Sequence, residues 1–294
     1  MVFVFATLLF TGCKGGKKAS DEEVKVELSA EDKTAILQDI KQAEKIFNAL
    51  PSPLESAMLI KSAGARFNEK ALNPVSKVST YVTNKDMALN LGAYTCDLSF
   101  ASLYEQTQLL IDYMNAAKKM ADGLGILKAI EQADIDKLEE NINNTEVIMD
   151  IVSQTFMNSN SYLEDNGQPA TAAMVLVGGW IEGLYISTQL VDMNEFNNNK
   201  LVAKIIDQKL SIDILLSLLE NSKGNPAVDE LIVEVGKLKA VFDKINIKSS
   251  PVRPEYDAAS NTTVLKSEVK LDITPQIFSE LSATVTKIRS SFVK

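Results

Sequence analysis

Apolar positions recur at steps of three and four along almost the whole chain after residue 28. This spacing places apolar side chains on one face of an α-helix. The sharpest pattern runs from Ala133 to Glu164, where the two step lengths alternate over about four heptads. It predicts one long helix that packs against antiparallel neighbours at a shallow angle.

The same periodicity predicts helices along most of the remaining chain, and the fold class we expect is therefore all-α. The architecture is a single bundle of about seven or eight mostly antiparallel helices. Gly92 leaves open whether the third helix is one or two, and TTVLKSEVKLDI alternates weakly, as in a short β-hairpin near 262–273. The predicted helices cover about 29–50, 53–63, 83–122, 133–164, 169–191, 198–222, 226–246 and 275–292.

The predicted helix at 169–191, ATAAMVLVGGWIEGLYISTQLV after Pro169, is apolar on nearly all sides. A helix of this kind lies at the centre of a bundle, and its three glycines, Gly178, Gly179 and Gly183, would let a neighbouring backbone approach closely. A transmembrane helix is the alternative. However, Glu182 at its middle would cost about 2.5 kcal/mol or more in a bilayer, so we interpret it as a core helix.

The chain begins with an uninterrupted apolar run, VFVFATLLF, at residues 2–10. It is too short to span about 30 Å of hydrocarbon, but it suits the apolar region of an export signal. The following LFTGC, Leu9 to Cys13, resembles the lipobox of bacterial lipoproteins, although no Lys or Arg precedes the apolar run. The resemblance implies a signal peptide at 1–12, cleaved before Cys13, and a Cys13 acylated with palmitate-like chains.

After Cys13, Lys and Gly predict a flexible tether at 13–28, followed by an α-helical domain at 29–294. Lys14 resembles the residue that sorts lipoproteins to the outer membrane. The acidic run at 21–23 resembles surface-export signals of Bacteroidetes lipoproteins but lies further from the cysteine. The organisation resembles helical Bacteroidetes lipoproteins, which implies no particular activity.

Two other roles for Cys13 remain open from the sequence. A buried N-terminal helix or strand would make this cysteine incidental. A disulfide with Cys96 is less consistent with the sequence, because 14–28 has the composition of a loose tether and Cys96 lies among apolar residues. Two widely separated cysteines do not form a metal motif either.

Charge and composition exclude several classes of function. The formal net charge is −9, and basic residues do not cluster with aromatic ones, so we expect no nucleic-acid partner. The chain has no histidine, which excludes Ser-His-Asp and Cys-His catalysis and His-ligated zinc or haem. We accordingly expect no cofactor and no metal site.

Two groups of residues are candidates for ligand binding. Tyr94 and Asp97 lie on one polar stripe of their helix, which would line a cleft or form a hydrogen-bonded seam between helices. Glu182 lies near Trp180 and Tyr185 on the apolar helix, where burial would raise the pKa of its carboxyl. The alternatives for Glu182 are an ion pair with Lys or Arg of a neighbouring helix, or a position at the exposed edge of its own helix.

Together these features predict a lipid-anchored protein of the cell envelope, at the outer membrane, that acts as a binding module. Its expected partners are the membrane, through acylated Cys13, and an envelope protein or a small ligand. One alternative is a glycan-active enzyme using Asp97 and Glu182, which requires two carboxyls about 5–10 Å apart in a cleft. The other is a purely structural helical bundle without a pocket.

Overall fold

The computed structural model describes residues 51–127, 132–249, 253–257, 262–266 and 269–294. All of these residues belong to one compact unit. The expected signal peptide, Cys13, the tether and the first predicted helix, 29–50, lie outside the described residues.

The described residues form ten α-helices and four short strands, which confirms the all-α class. Short 3₁₀ helices lie at Glu69–Ala71, Val75–Thr80 and Met193–Asn198. The strands are β1 (Asn246–Ser249), β2 (Arg253–Asp257), β3 (Thr262–Lys266) and β4 (Val269–Asp272). The helices are α1 (Pro53–Ser62), α2 (Asn84–Leu103), α3 (Thr107–Gly123), α4 (Gln132–Glu140), α5 (Thr145–Asp165), α6 (Pro169–Gln189), α7 (Lys200–Asp207), α8 (Ser211–Glu220), α9 (Pro226–Phe242) and α10 (Pro275–Phe292).

Several helices begin where the sequence carries start signals. Ser52 and Glu55 form a reciprocal capping box at α1, and Thr83 caps α2 through the backbone N–H of Asp86. A proline occupies the first turn of α1, α6, α9 and α10. Proline there sacrifices no hydrogen bond, since that N–H has no partner within the helix.

Three predicted helices are shorter than their periodicity suggested. The segment 83–122 breaks after Leu103, where Glu105 adopts a left-handed φ of 58°, while Gly92 lies inside an unbroken α2. The segment 133–164 breaks before Thr145, because Asn144 accepts a hydrogen bond from the N–H of Val147 and so caps a new helix. The predicted helix at 198–222 similarly divides into α7 and α8.

The four strands pair in a nested order. β2 pairs with β3 and β1 pairs with β4, both antiparallel. The two strands within the predicted hairpin at 262–273 therefore exist, but each pairs with an earlier strand instead of with the other. Local alternation indicates an extended segment, whereas the choice of partner depends on the rest of the ribbon.

Two central helices, α2 and α6, cross with their backbones in direct contact. A Cβ at Gly92 would lie 2.0 Å from the carbonyl oxygen of Val175, and one at Gly178 would lie 2.0 Å from that of Leu89. The predicted close approach at the α6 glycines is thus confirmed. Since Leu89 faces Gly178 and Cys96 faces Gly183, the two helices run in the same direction, an exception to the expected antiparallel packing.

The apolar helix α6 has the length and mean hydropathy, 1.3, of a membrane span, yet 78% of its apolar window is buried in the body. Its neighbours include α1, α2, α5 and α10. This burial agrees with a central core helix.

Candidate functional site

A buried ion pair joins α6 to α10. Arg289 donates hydrogen bonds of 2.8 and 2.7 Å to the two carboxylate oxygens of Glu182. Glu182 is fully buried and Arg289 is 8% exposed. The geometry is bidentate, with two parallel N–H···O bonds, the arrangement in which a guanidinium best matches a carboxylate.

A second buried carboxyl, Asp97 of α2, lies close enough to Glu182 for the charges of the two groups to interact. Burial, and then the negative charge of Glu182, raise the pKa of Asp97 well above its usual range. Burial also raises the pKa of Glu182, while Arg289 acts in the opposite direction. The protonated form is therefore favoured at Asp97, whereas the Arg289 guanidinium favours the ionised form of Glu182. Asp97 Oδ1 has no hydrogen-bond partner among the described residues.

Amide side chains extend this network to a loop and to the chain's last helix. The Asn73 N–H donates to Asp97 Oδ2 at 3.1 Å, and Asn73 Nδ2 donates to Asn90 Oδ1 at 2.8 Å. Asn90 Nδ2 in turn donates to the carbonyl oxygen of Phe292 at 2.9 Å. Tyr81 completes the network by donating its hydroxyl to Asn73 Oδ1 at 3.1 Å. The predicted polar stripe on α2 is thus a hydrogen-bonded seam.

The structure brings four of the five predicted binding residues together. Tyr94 lies beside Asp97 and donates to the carbonyl oxygen of Pro74 at 3.3 Å. The ring of Tyr185 packs on the guanidinium of Arg289, 4.1 Å from its centroid. Burial raises the pKa of the Tyr94 hydroxyl, so it stays protonated.

Trp180 lies elsewhere, which corrects the expectation that it shares a site with Glu182. Its indole N–H donates to Gln208 Oε1 at 3.1 Å, between α6 and the turn after α7. Residues two positions apart point about 200° away from each other around a helix. Tyr185 is three positions from Glu182 and therefore shares its side of α6.

Two important members of the network were not predicted, Arg289 and Asn73. Arg289 lies on the buried side of α10, four residues after Val285. A charged residue on this apolar stripe was the feature of the sequence that could have identified it. Asn73 lies in a segment with the composition of a loop, and no local pattern marks it.

The carboxyl pair is closed to substrates in this structure. Asp97 and Glu182 are both 0% exposed, and Arg289 neutralises the charge that a general base would need. The geometry therefore does not support the glycan-active enzyme that was predicted as an alternative. Ligand binding by Tyr94, Asp97, Trp180, Glu182 or Tyr185 stays a prediction.

An apolar cavity of about 80 Å³ lies on another side of the bundle, between α2, α3, α4, α5 and α6. Leu98 of α2, Met114 of α3 and Phe156 of α5 are among the residues that line it. Lys118 of α3, which is half-buried, is the one charged residue among the described side chains that line it.

Two polar atoms in the wall of this cavity have no hydrogen-bond partner among the described residues. They are Thr155 Oγ1 and Asn160 Oδ1, both on α5 and both inaccessible to bulk water. A buried polar atom without a partner costs about 1–3 kcal/mol. Two such atoms in one small cavity mark it as the candidate binding site.

The described residues contain no group of three or more His, Cys, Asp or Glu side chains placed to hold a metal ion. Cys96 is fully buried, and its burial raises the pKa of the thiol well above the usual range. A protonated, inaccessible thiol is a packing group and not a nucleophile.

In comparisons of the sequence and the fold, no family model, curated protein or solved structure matches this chain. The functional argument therefore depends on the residues themselves.

Proposed function

We propose that the protein is a binding module of the cell envelope, anchored through acylated Cys13, with the apolar cavity as its binding site. The observation that carries the binding role is the pair of polar atoms, Thr155 Oγ1 and Asn160 Oδ1, that lack a partner among the described residues in an otherwise apolar wall. Buried polar atoms without a partner lower the stability of a fold, which supports a role for these two in contacting a ligand.

The position of the cavity suits a binding role. Its walls come from five helices, so a ligand would contact elements that are distant in the sequence. Helix bundles commonly form ligand sites between facing helices in this way. The wall is largely apolar, so burial of an apolar group would provide most of the binding free energy.

A neutral apolar probe tests the binding role. Xenon should bind the wild-type chain and shift methyl NMR signals of the residues around Met114 and Val152, since an apolar cavity in a protein core admits such probes. Ala117→Phe places a ring in the cavity and should abolish the shifts. Absence of binding to the wild type, or equal binding to both proteins, would contradict the proposal.

The anchor is supported by the sequence LLFTGCKGGKK at 8–18 and by its resemblance to a lipobox. Several acyl chains contribute about 0.8 kcal/mol per buried CH₂, enough for firm membrane attachment. Cys13→Ser should release the protein from the membrane fraction, whereas Cys96→Ser should not. Lys14→Asp should move the protein from the outer to the inner membrane if Lys14 directs its sorting.

A further inference from the structure

Among the described side chains that line the cavity, one is cationic and none is anionic. Lys118 lines it together with apolar and uncharged polar side chains. Its ammonium makes no ion pair or hydrogen bond with any residue that the structure describes, whereas the ammonium of Lys239, on α9, is paired with Asp213 and Asp243. Within the described part of the chain, Lys118 is therefore an unneutralised positive charge at the edge of an apolar site.

A hydroxyl lies in the same wall and lacks a partner. Thr155 Oγ1 is inaccessible to bulk water and accepts or donates no hydrogen bond within the described residues. Because a hydroxyl rotates to suit its partner, it can donate to an anionic oxygen. Lys118 on α3 and Thr155 on α5 thus approach the cavity from different helices.

These features deepen the proposed binding role, on which the inference depends. We propose that the cavity takes a small free monocarboxylate: its branched or short aliphatic group fills the apolar space, and its carboxylate is held by Lys118 and Thr155. One lysine balances one negative charge, so a phosphate or a dicarboxylate would leave charge uncompensated.

The size of the cavity sets the size of the ligand. Its volume is about 80 Å³, roughly half that of an engineered cavity of about 150 Å³ that admits benzene. This space fits an aliphatic group of about four carbons better than a long acyl chain. Isovalerate, which has an isobutyl group and one carboxylate, is a suitable probe.

The charge requirement is tested with two probes of the same shape, isovalerate and its neutral amide, isovaleramide. Binding of each to the full chain is measured by NMR titration at neutral pH. The wild type should bind isovalerate at least about fivefold more tightly than isovaleramide, which corresponds to one partly buried charge-assisted contact.

Variants of two adjacent lysines separate the cavity from general surface charge. Lys118→Gln should remove the preference for isovalerate, whereas Lys119→Gln should keep it, because Lys119 is exposed and does not line the cavity. Thr155→Val, which changes little volume, should weaken the binding of isovalerate more than that of isovaleramide, because a hydroxyl makes a stronger hydrogen bond with a charged acceptor. Melting curves establish that each variant is folded.

Each other outcome overturns the inference. If the wild type binds the two probes with equal affinity, or if Lys118→Gln and Lys119→Gln have equal effects, the cavity does not bind the carboxylate. Tighter binding of dodecanoate would identify an acyl-chain site instead of a site for a short ligand. If xenon binds while the cavity shows no preference for isovalerate over isovaleramide, the proposed binding role stands and only the carboxylate inference fails.

Discussion

Arg289 and Glu182 are 107 positions apart in the sequence and form a bidentate ion pair in the core. The pair connects the central helix α6 to the last helix α10. Asp97 supplies a third group from α2, so one polar cluster ties together three helices. Because this cluster is closed to solvent, it fixes how the helices pack, and the proposed binding site lies elsewhere, at the apolar cavity.

Removing one partner of the ion pair should be strongly destabilising. Glu182→Gln leaves the Arg289 charge buried without a counter-charge, and we expect the free energy of unfolding to fall by about 3–5 kcal/mol. Urea unfolding monitored by circular dichroism measures this change.

An exposed ion pair provides the matched control. Glu280 pairs with Lys244 on the surface, and Glu280→Gln should cost less than about 1 kcal/mol. The double variant Glu182→Leu/Arg289→Met should recover much of the lost stability, since apolar groups of similar volume replace buried ion pairs well. A single-variant cost as small as that of Glu280→Gln would contradict the burial of the pair.

The proton on Asp97 should make stability depend on pH. Its folded-state pKa is raised, first by burial and then by Glu182, whereas in the unfolded chain an Asp ionises near about 3.9. Between these two pKa values, folding therefore takes up a proton. The contribution of Asp97 to stability is full below the unfolded pKa and is lost as the pH rises through the folded one.

Asp97→Asn removes this dependence, because an amide does not titrate and still accepts from the Asn73 N–H. The stability of Asp97→Asn relative to wild type should increase with pH by up to about 1.4 kcal/mol per pH unit within that window. Thermal melts from pH 5 to pH 8 measure the difference, and Asp150→Asn controls for the loss of one exposed charge. If the stability difference between Asp97→Asn and the wild type stays constant with pH, Asp97 takes up no proton on folding in this range.

The backbone contact between α2 and α6 predicts opposite effects of the same substitution at two glycines. Gly92→Ala would bring a Cβ within 2.0 Å of Val175 O, so the two helices must separate. We expect a loss of more than about 3 kcal/mol, as for severe overpacking of a core. Gly236, inside α9, has open space where a Cβ would lie, and Gly236→Ala should stabilise the protein by about 0.5–1 kcal/mol.

Both glycine variants are measured by thermal unfolding. Comparable melting temperatures for Gly92→Ala and the wild type would contradict the direct contact of the two backbones. A loss of stability in Gly236→Ala would contradict the open space at this position.

Helix starts were predictable because their signals are local. Pro53, Pro169, Pro226 and Pro275 mark the first turns of four helices in the sequence and in the structure. The break before Thr145 was not predicted, because the apolar period continues across it and only the cap formed by Asn144 ends it.

The polar cluster was predictable only in part. Glu182 was predictable as a carboxylate on an apolar helix, and Asp97 was predictable as part of the polar stripe on α2. Their meeting, and the choice of Arg289 as partner, depend on the crossing of α2, α6 and α10, which no local pattern encodes. The cavity was not predicted either, since its walls come from five helices.

The most direct test of the account is whether Cys13 becomes the acylated first residue of the mature protein. Cells expressing the full chain are labelled with a clickable fatty acid, and the intact mass of the purified product is measured by mass spectrometry. A lipid-anchored protein gives a labelled product that begins at Cys13, with no label on the Cys13→Ser variant. An unlabelled wild-type product that retains residues 1–12 would contradict the lipid anchor.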